Sequence, residues 1–310
     1  MSTAIFSHPD CIRHDMGEWH PESPARLQAI DDQLILARID GLLERRSAPP
    51  AGLDAVLRNH SAGMVALVRE HTPVLVDEHY PLDGDTLLCS YSYRAALGAA
   101  GAAVAATDAV ISGALDNAFC AIRPPGHHAR PTQSMGFCLF NNVAIAARHA
   151  LEVHGLQRVA IIDFDVHHGN GTAEAFHDDP RVLMASFYQH PFYPYTDPEP
   201  MTATCVNIPV PARSKGDVVR QLITEHWLPA LHAFAPQMIF ISAGFDAHRE
   251  DDIGGMGLVE DDYAWITREI MAVAKVHAGG RIVSCLEGGY NLSALARSVV
   301  AHVKVLADID

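Results

Sequence analysis

AIIDFDVHHGNGTAEAF, residues 160–176, decides the fold class. A short apolar run rich in isoleucine ends in two aspartates, two histidines and two glycines. A run of that length bounded by turn residues reads as a strand covered on both faces. Carboxylates and imidazoles at the end of such a strand are costly to bury without partners, so Asp163, Asp165, His167 and His168 need partners from elsewhere in the chain. In an extended segment alternate side chains share a face, which groups Asp163, Asp165 and His167 and sets Phe164 and Val166 opposite.

Working outward, the same kind of segment recurs at 117–122 (NAFCAI), 158–164 (RVAIIDF), 182–187 (VLMASF), 237–243 (QMIFISA) and 281–287 (RIVSCLE). Helix-length stretches at 138–153, 217–233 and 260–277 lie between them, and another covers 90–112, where Ala and Gly at close spacing allow tight packing. This alternation predicts an α/β fold with a mostly parallel sheet and helices on both faces. The polar clusters RPPGHHA, DVHHGNG, GFDAHREDD and GGYNL each follow one of these strands. In open parallel sheets ligands bind at that carboxyl edge, so the four loops are expected to meet in one crevice. No linker, repeat or composition break divides the chain, and residues 1–310 read as a single domain.

A formal charge of −15 repels nucleic acid and anionic membranes. Six scattered cysteines without a CxxC point to reduced thiols. No signal peptide opens the chain, and the small-apolar run at 95–106 is too short to span a bilayer. A cytoplasmic protein with no nucleic-acid or membrane partner is expected.

Two carboxylates and an imidazole in a row suit a hard-to-borderline metal such as zinc, which takes three protein ligands at catalytic sites. Asp246 is the best third ligand because it follows a strand at the same edge; His248, Asp251 and Asp252 are rivals in that loop. A lone Asp here would read as a helix cap. His127 and His128 after a Pro-Pro-Gly bend offer a proton acceptor and donor at neutral pH. Tyr290, after Gly288 and Gly289, reads on local sequence equally as a turn residue or as a donor to a developing oxyanion. Gly136 and Phe137, with Phe192, Tyr193 and Tyr195, are candidate walls of a slot for an aliphatic chain.

HPESPARL, RPPGHHA, GFCLFNNVA, DFDVHHGNGT, SAGFDAH and EGGYNL, in this order over about residues 8–300, resemble the zinc-dependent histone deacetylase and acetylpolyamine amidohydrolase superfamily. The resemblance is closest to class II-like bacterial histone deacetylase-like amidohydrolases, since Asn170 stands where class I enzymes carry Asp and Glu287 precedes Gly-Gly-Tyr. It implies an arginase/deacetylase-like three-layer fold with an eight-stranded sheet, filling 1–310 as one catalytic domain. It implies one zinc held by Asp165, His167 and Asp246. His128 is implied as general base and acid partnered by Asn170, His127 as an electrostatic helper oriented by Asp163, and Tyr290 as the carbonyl-polarising group. Substrate contacts fall on Gly136, Phe137, Tyr193, Asp85 and Gly289, with Arg26 at an internal channel. Potassium is implied at main-chain oxygens of Asp163, Asp165, His167, Ser186 and Phe187, and at a second site of Phe176, Asp179 and Val182.

The expected reaction is hydrolysis of the acyl-amide of an acylated primary amine, foremost acetyl-lysine in peptides. Acetylpolyamine is the alternative, disfavoured because Ile253 stands where the polyamine-selective branch carries a gatekeeper glutamate. An arginase-type binuclear manganese ureohydrolase and a non-enzymatic acyl-ligand sensor are the remaining readings. Neither acyl length nor assembly as a homo-oligomer follows from the sequence.

Overall fold

The computed structural model describes residues 2–309. The first half of the chain contains β1 (Thr3–Ser7), α1 (Ala25–Leu36), β2 (Glu44–Ser47), α2 (Leu53–Leu57) and α3 (Ala62–His71). A two-stranded hairpin, β3 (Tyr80–Pro81) and β4 (Leu87–Leu88), leads into α4 (Ser92–Ile111), β5 (Asn117–Cys120) and α5 (Asn142–Glu152). Next come β6 (Val159–Asp163), α6 (Asn170–Phe176), β7 (Val182–Gln189), β8 (Cys205–Val210), α7 (Gly216–Leu222) and α8 (Leu228–Phe234). The chain closes with β9 (Met238–Ala243), α9 (Glu260–His277), β10 (Ile282–Leu286) and α10 (Leu292–Leu306).

Eight strands form one sheet in the order β2-β1-β5-β10-β9-β6-β7-β8, and every pairing in it is parallel. The five strands read from sequence are all present, and each is buried along its length. Helices α4 and α5 pack together against β1, β5, β6 and β9, while α1, α9 and α10 pack as a second group. The strand order has a direct consequence for function. The connection from β5 to β6 leaves a gap that β10 and β9 later fill, so the four strands carrying the polar clusters, β5, β10, β9 and β6, are consecutive neighbours at the sheet centre. All four carboxyl ends open on one crevice.

The Ala- and Gly-rich α4 is long and apolar enough to cross a membrane, yet most of its residues are buried inside the fold. Its glycines explain the composition: a Cβ at Gly101 would lie 2.6 Å from the Ala51 backbone nitrogen, so the 49–51 turn rides directly on the helix. The helix expected at 217–233 runs from α7 to α8 through a wide turn at Ile223–Trp227. That turn sets Trp227 over Phe187, with ring centroids 5.7 Å apart.

Candidate metal and catalytic site

Asp165 and His167 follow β6, and Asp246 follows its sheet neighbour β9. All three side chains are buried, and their ligand-type atoms lie within 4.8 Å of one another. His167 Nδ1 is 2.9 Å from Asp165 Oδ1 and 3.2 Å from Asp246 Oδ2. Backbone amides fix the carboxylates from behind. Val166 N–H donates to Asp246 Oδ1 (2.8 Å), and Gly288 N–H donates to Asp165 Oδ2 (2.9 Å).

Asp246 Oδ2 has no hydrogen-bond partner, and a side chain at Gly288 would overlap it. Burial, and then repulsion from Asp165, raise the Asp246 carboxyl to about 7. A buried carboxylate oxygen left bare, facing an imidazole nitrogen and a second carboxylate, is a costly arrangement for a closed core. It fits a divalent cation: two oxygens and one nitrogen form a zinc donor set that leaves a position open for substrate.

The rival ligands are otherwise engaged or turned away. Asp251 Oδ2 accepts from the backbone N–H groups of Tyr290 (2.6 Å) and Asn291 (3.0 Å), while its Oδ1 accepts from Ile253 N–H (3.0 Å). His248 Nε2 lies 3.5 Å from Glu260. Asp252 is exposed.

The two histidines after β5 form two parallel dyads. His127 Nδ1 lies 2.9 Å from Asp163 Oδ2, and His128 Nδ1 lies 2.8 Å from Asn170 Oδ1. With each Nδ1–H donating, the Nε2 side of each ring is left to face the crevice. The partners set the rings apart. Burial opposes charge on His127, but Asp165 and Asp163 beside it outweigh burial and hold it well above the usual histidine range. Burial, then the neighbouring His127 and His167, push His128 well below that range. The two rings are thereby biased in opposite directions, His127 toward the charged form and His128 toward the neutral one.

Glu287 braces this loop from beneath. Its Oε2 accepts from Gly126 N–H (2.6 Å) and His127 N–H (3.1 Å), and its Oε1 accepts from Ser242 Oγ (3.1 Å). Glu22, from the HPESPARL stretch, binds the guanidinium groups of both Arg123 and Arg26 in a fully buried cluster. Arg26 Nε in turn donates to Gly289 O (2.7 Å), and its guanidinium lies 5.1 Å from the Tyr290 ring centre. Sequence reasoning had no role for Glu22, Arg123 or the Asp251 cap. Glu287 was visible only as a marker before Gly-Gly-Tyr.

Around the mouth, Phe137 meets Tyr290 edge to face at 5.8 Å, and Phe192 stacks on His167 at 5.2 Å with 14° between the rings. Tyr193 meets His128 edge to face at 5.1 Å, so both Phe192 and Tyr193 border the crevice. Asp85 stands at the rim, where its Oδ1 accepts from Thr86 Oγ1 (3.0 Å) and Thr86 Oγ1 accepts from Phe137 N–H (3.1 Å). His168 turns away: it pairs with Thr196 Oγ1 (2.9 Å) and lines a separate cavity of about 590 Å³ beyond Asn170.

Gly136 lies at φ +57°, and a Cβ there would sit 2.6 Å from His128 Cδ2 and 2.8 Å from Tyr193 Oη. Gly136→Ala is therefore expected to destabilise the fold by about 1–3 kcal/mol through overpacking and to lower kcat/KM by displacing His128. Denaturant midpoints and turnover on one preparation measure both. Unchanged kcat/KM would show that nothing enters beside His128.

A family model described as the histone deacetylase domain matches residues 20–306. The chain is 38% identical over 314 residues to the histone deacetylase-like amidohydrolase of Pseudomonas aeruginosa, covering 93% of this chain and 82% of that protein. It is 37% identical to the human polyamine deacetylase HDAC10, over 99% of this chain and 48% of that protein. Among solved structures, the HDA15 HD domain superposes with a TM-score of 0.93 at 34% identity, covering 99% of this chain and 88% of the other.

Proposed function

Because the chain belongs to the histone deacetylase family of zinc-dependent hydrolases, we propose that residues 1–310 act as one catalytic domain removing an acetyl group from the ε-amine of lysine in peptides. The observation that carries this reading is the convergence, in one crevice, of a three-ligand group with two differently tuned histidine dyads. Asp165, His167 and Asp246 hold one zinc, which when bound polarises the amide carbonyl and acidifies water.

The chain's own residues do the rest. His128, neutral and oriented by Asn170, takes a proton from the attacking water at Nε2 and returns it to the leaving amine. His127, paired with Asp163, supplies positive charge beside the developing oxyanion. The Tyr290 hydroxyl donates to that oxyanion from the opposite side. Gly136, Phe137, Phe192, Tyr193 and Gly289 shape the passage for an extended aliphatic chain, and Asp85 meets the substrate backbone at the rim. Arg26 fixes the Tyr290 turn and lines an internal channel. Potassium at the main-chain oxygens of Asp163, Asp165, His167, Ser186 and Phe187 belongs to the same proposal, supported by the pairing of Asp163 with Ser186 across β6 and β7. The site at Phe176, Asp179 and Val182 is carried over with it. Six free cysteines support a reducing compartment such as the cytoplasm.

Lysine is favoured over polyamine by the state of the acidic run after Asp246. Glu250 is paired with Arg297 (2.8 Å), Asp251 is committed to three backbone amides, and Ile253 is apolar. Only Asp252 of this run is left for a second ammonium group. The arginase-type reading needs further carboxylate ligands; among the described residues, the central metal group has three members. A turnover panel of acetyl-lysine peptide, longer acyl-lysines and N-acetylated polyamine, run with and without chelator, tests the proposal. Acetyl-lysine cleavage should exceed polyamine cleavage at least about tenfold, the factor that 1.4 kcal/mol of differential binding supplies. Chelator should abolish both. Equal or greater polyamine turnover would overturn the lysine assignment, and chelator-resistant turnover would overturn the metal.

A further inference from the structure

Far from the crevice, where the end of α4 packs on the end of α5, Asp108 receives two imidazoles on a single oxygen. His149 Nε2 lies 2.7 Å from Asp108 Oδ1, and His154 Nε2 lies 2.6 Å from that same atom. The three ligand atoms fall within 4.8 Å of one another. Asp108 belongs to α4, His149 to the last turn of α5 and His154 to the turn beyond it, held by its N–H donating to His149 O at 3.3 Å. No sequence motif marks this constellation, because its members lie 41 and 46 residues apart.

We propose that Asp108, His149 and His154 form a second, structural metal site that takes zinc or another imidazole-favouring divalent cation. Two imidazole nitrogens and a carboxylate oxygen are a donor set suited to Zn²⁺, Ni²⁺ and Cu²⁺ and unsuited to Mg²⁺ or Ca²⁺. Their present spacing needs only a small outward shift for each atom to stand about 2.0–2.2 Å from a shared ion. Side-chain exposure of 52% for Asp108 and 26% for His154 leaves the ion an approach from solvent and room for water as a fourth ligand.

One feature limits the affinity. Coordination through Nε2 places the His149 proton on Nδ1, which is buried without a partner. The site is therefore an exchangeable one, weaker than the catalytic centre. Its location gives it a role. The start of α5 carries the catalytic-histidine loop, with Asn142 Nδ2 donating to Pro124 O (3.1 Å) and Asn141 Nδ2 donating to Ala129 O (3.3 Å). An ion at the other end ties that helix to α4.

The test uses the zinc-loaded enzyme, dialysed at pH 7.5 against micromolar free zinc and then analysed for metal and melting temperature. Wild type should hold two zinc ions per chain, and Tm should rise with free zinc. His154→Ala, at an exposed turn, and Asp108→Asn, which preserves shape, should each hold one, lose the zinc-dependent rise in Tm and keep wild-type turnover. His232→Ala, which breaks a surface histidine pair with His277, should still hold two. One zinc per chain in wild type, or two in either of the first variants, would overturn the proposal. Loss of turnover with both zinc sites filled would instead count against the catalytic reading.

Discussion

Replacing Tyr290 with phenylalanine is expected to lower kcat for acetyl-lysine cleavage by about 10²- to 10³-fold, the range seen when one oxyanion donor is removed, while zinc content and fold are unchanged. The ring is held on every side by contacts that phenylalanine keeps: Phe137 at 5.8 Å, the Arg26 guanidinium at 5.1 Å, and the backbone N–H bound to Asp251 Oδ2 at 2.6 Å. Only the hydroxyl is lost. Burial, and then the nearby Asp246 carboxylate, hold its pKa well above the usual tyrosine value, so it remains a proton-bearing donor throughout the neutral range. The loss should fall on kcat rather than KM, because the oxyanion exists only beyond the ground state. A variant with unaltered kcat would remove Tyr290 from the chemistry. A variant that lost zinc would make it a prop for the neighbouring Gly288, whose amide holds Asp165.

The difference between what the sequence discloses and what it hides follows from how each element is stabilised. The central strands were legible because burial on both faces writes a continuous apolar run, and their carboxyl ends were legible because polar groups there break that run abruptly. The edges were not. β2, ERRS, is charged and largely exposed, as an edge strand must be to resist pairing with another chain. β8, CVNIPV, carries a proline that only an edge tolerates. α10 had a readable signature that was passed over: the Asn291 side chain caps Ala294 N–H at 3.0 Å, and Leu292, Leu295, Val299, Val303 and Leu306 recur at helical spacing.

The same division runs through the site. The spacing of Asp163, Asp165 and His167 on one strand end was visible, and the structure brings Asp246 to it from a strand 83 residues away in sequence but adjacent in the sheet, the distance from Asp163 to Asp246. The supports were invisible because they act through backbone amides. Glu287 holds Gly126 and His127, and Asp251 holds Tyr290 and Asn291; neither pairing leaves any pattern in side-chain identity. Sequence alone therefore left Asp251 a rival to Asp246 for the metal and gave no sign of its actual place beneath the Tyr290 backbone.

Asp246→Asn separates the metal role from a purely structural one, since it should cost zinc and activity together yet not weaken the chelated protein. Loss of one of three ligands is expected to bring zinc near zero per chain after purification and to abolish turnover, both read on the same samples. In chelated wild type, the Asp246 carboxyl is raised from 3.8 to about 7 by burial and by Asp165. A raised carboxyl contributes stability that is complete below its unfolded value and is lost as pH rises through its folded value. The chelated wild type should thus lose stability between about pH 4 and pH 7, by roughly 1.4 kcal/mol for each unit of the shift. His167, held up to about 9 against burial by its carboxylate partners, stays charged in the folded chain across that window, and because an unfolded histidine titrates near 6.5 it adds a further loss of stability above about pH 6, which the variant shares in part. Asparagine imitates the protonated acid and keeps Oδ1 for the Val166 amide, so the variant should show a flatter profile and match or exceed wild type at pH 8 in chelator. Denaturation midpoints at pH 5 and pH 8 decide the matter: a variant less stable at both would mean that Asp246 is a structural carboxylate, whereas the expected crossing would mean that the fold tolerates two crowded acids because an ion joins them.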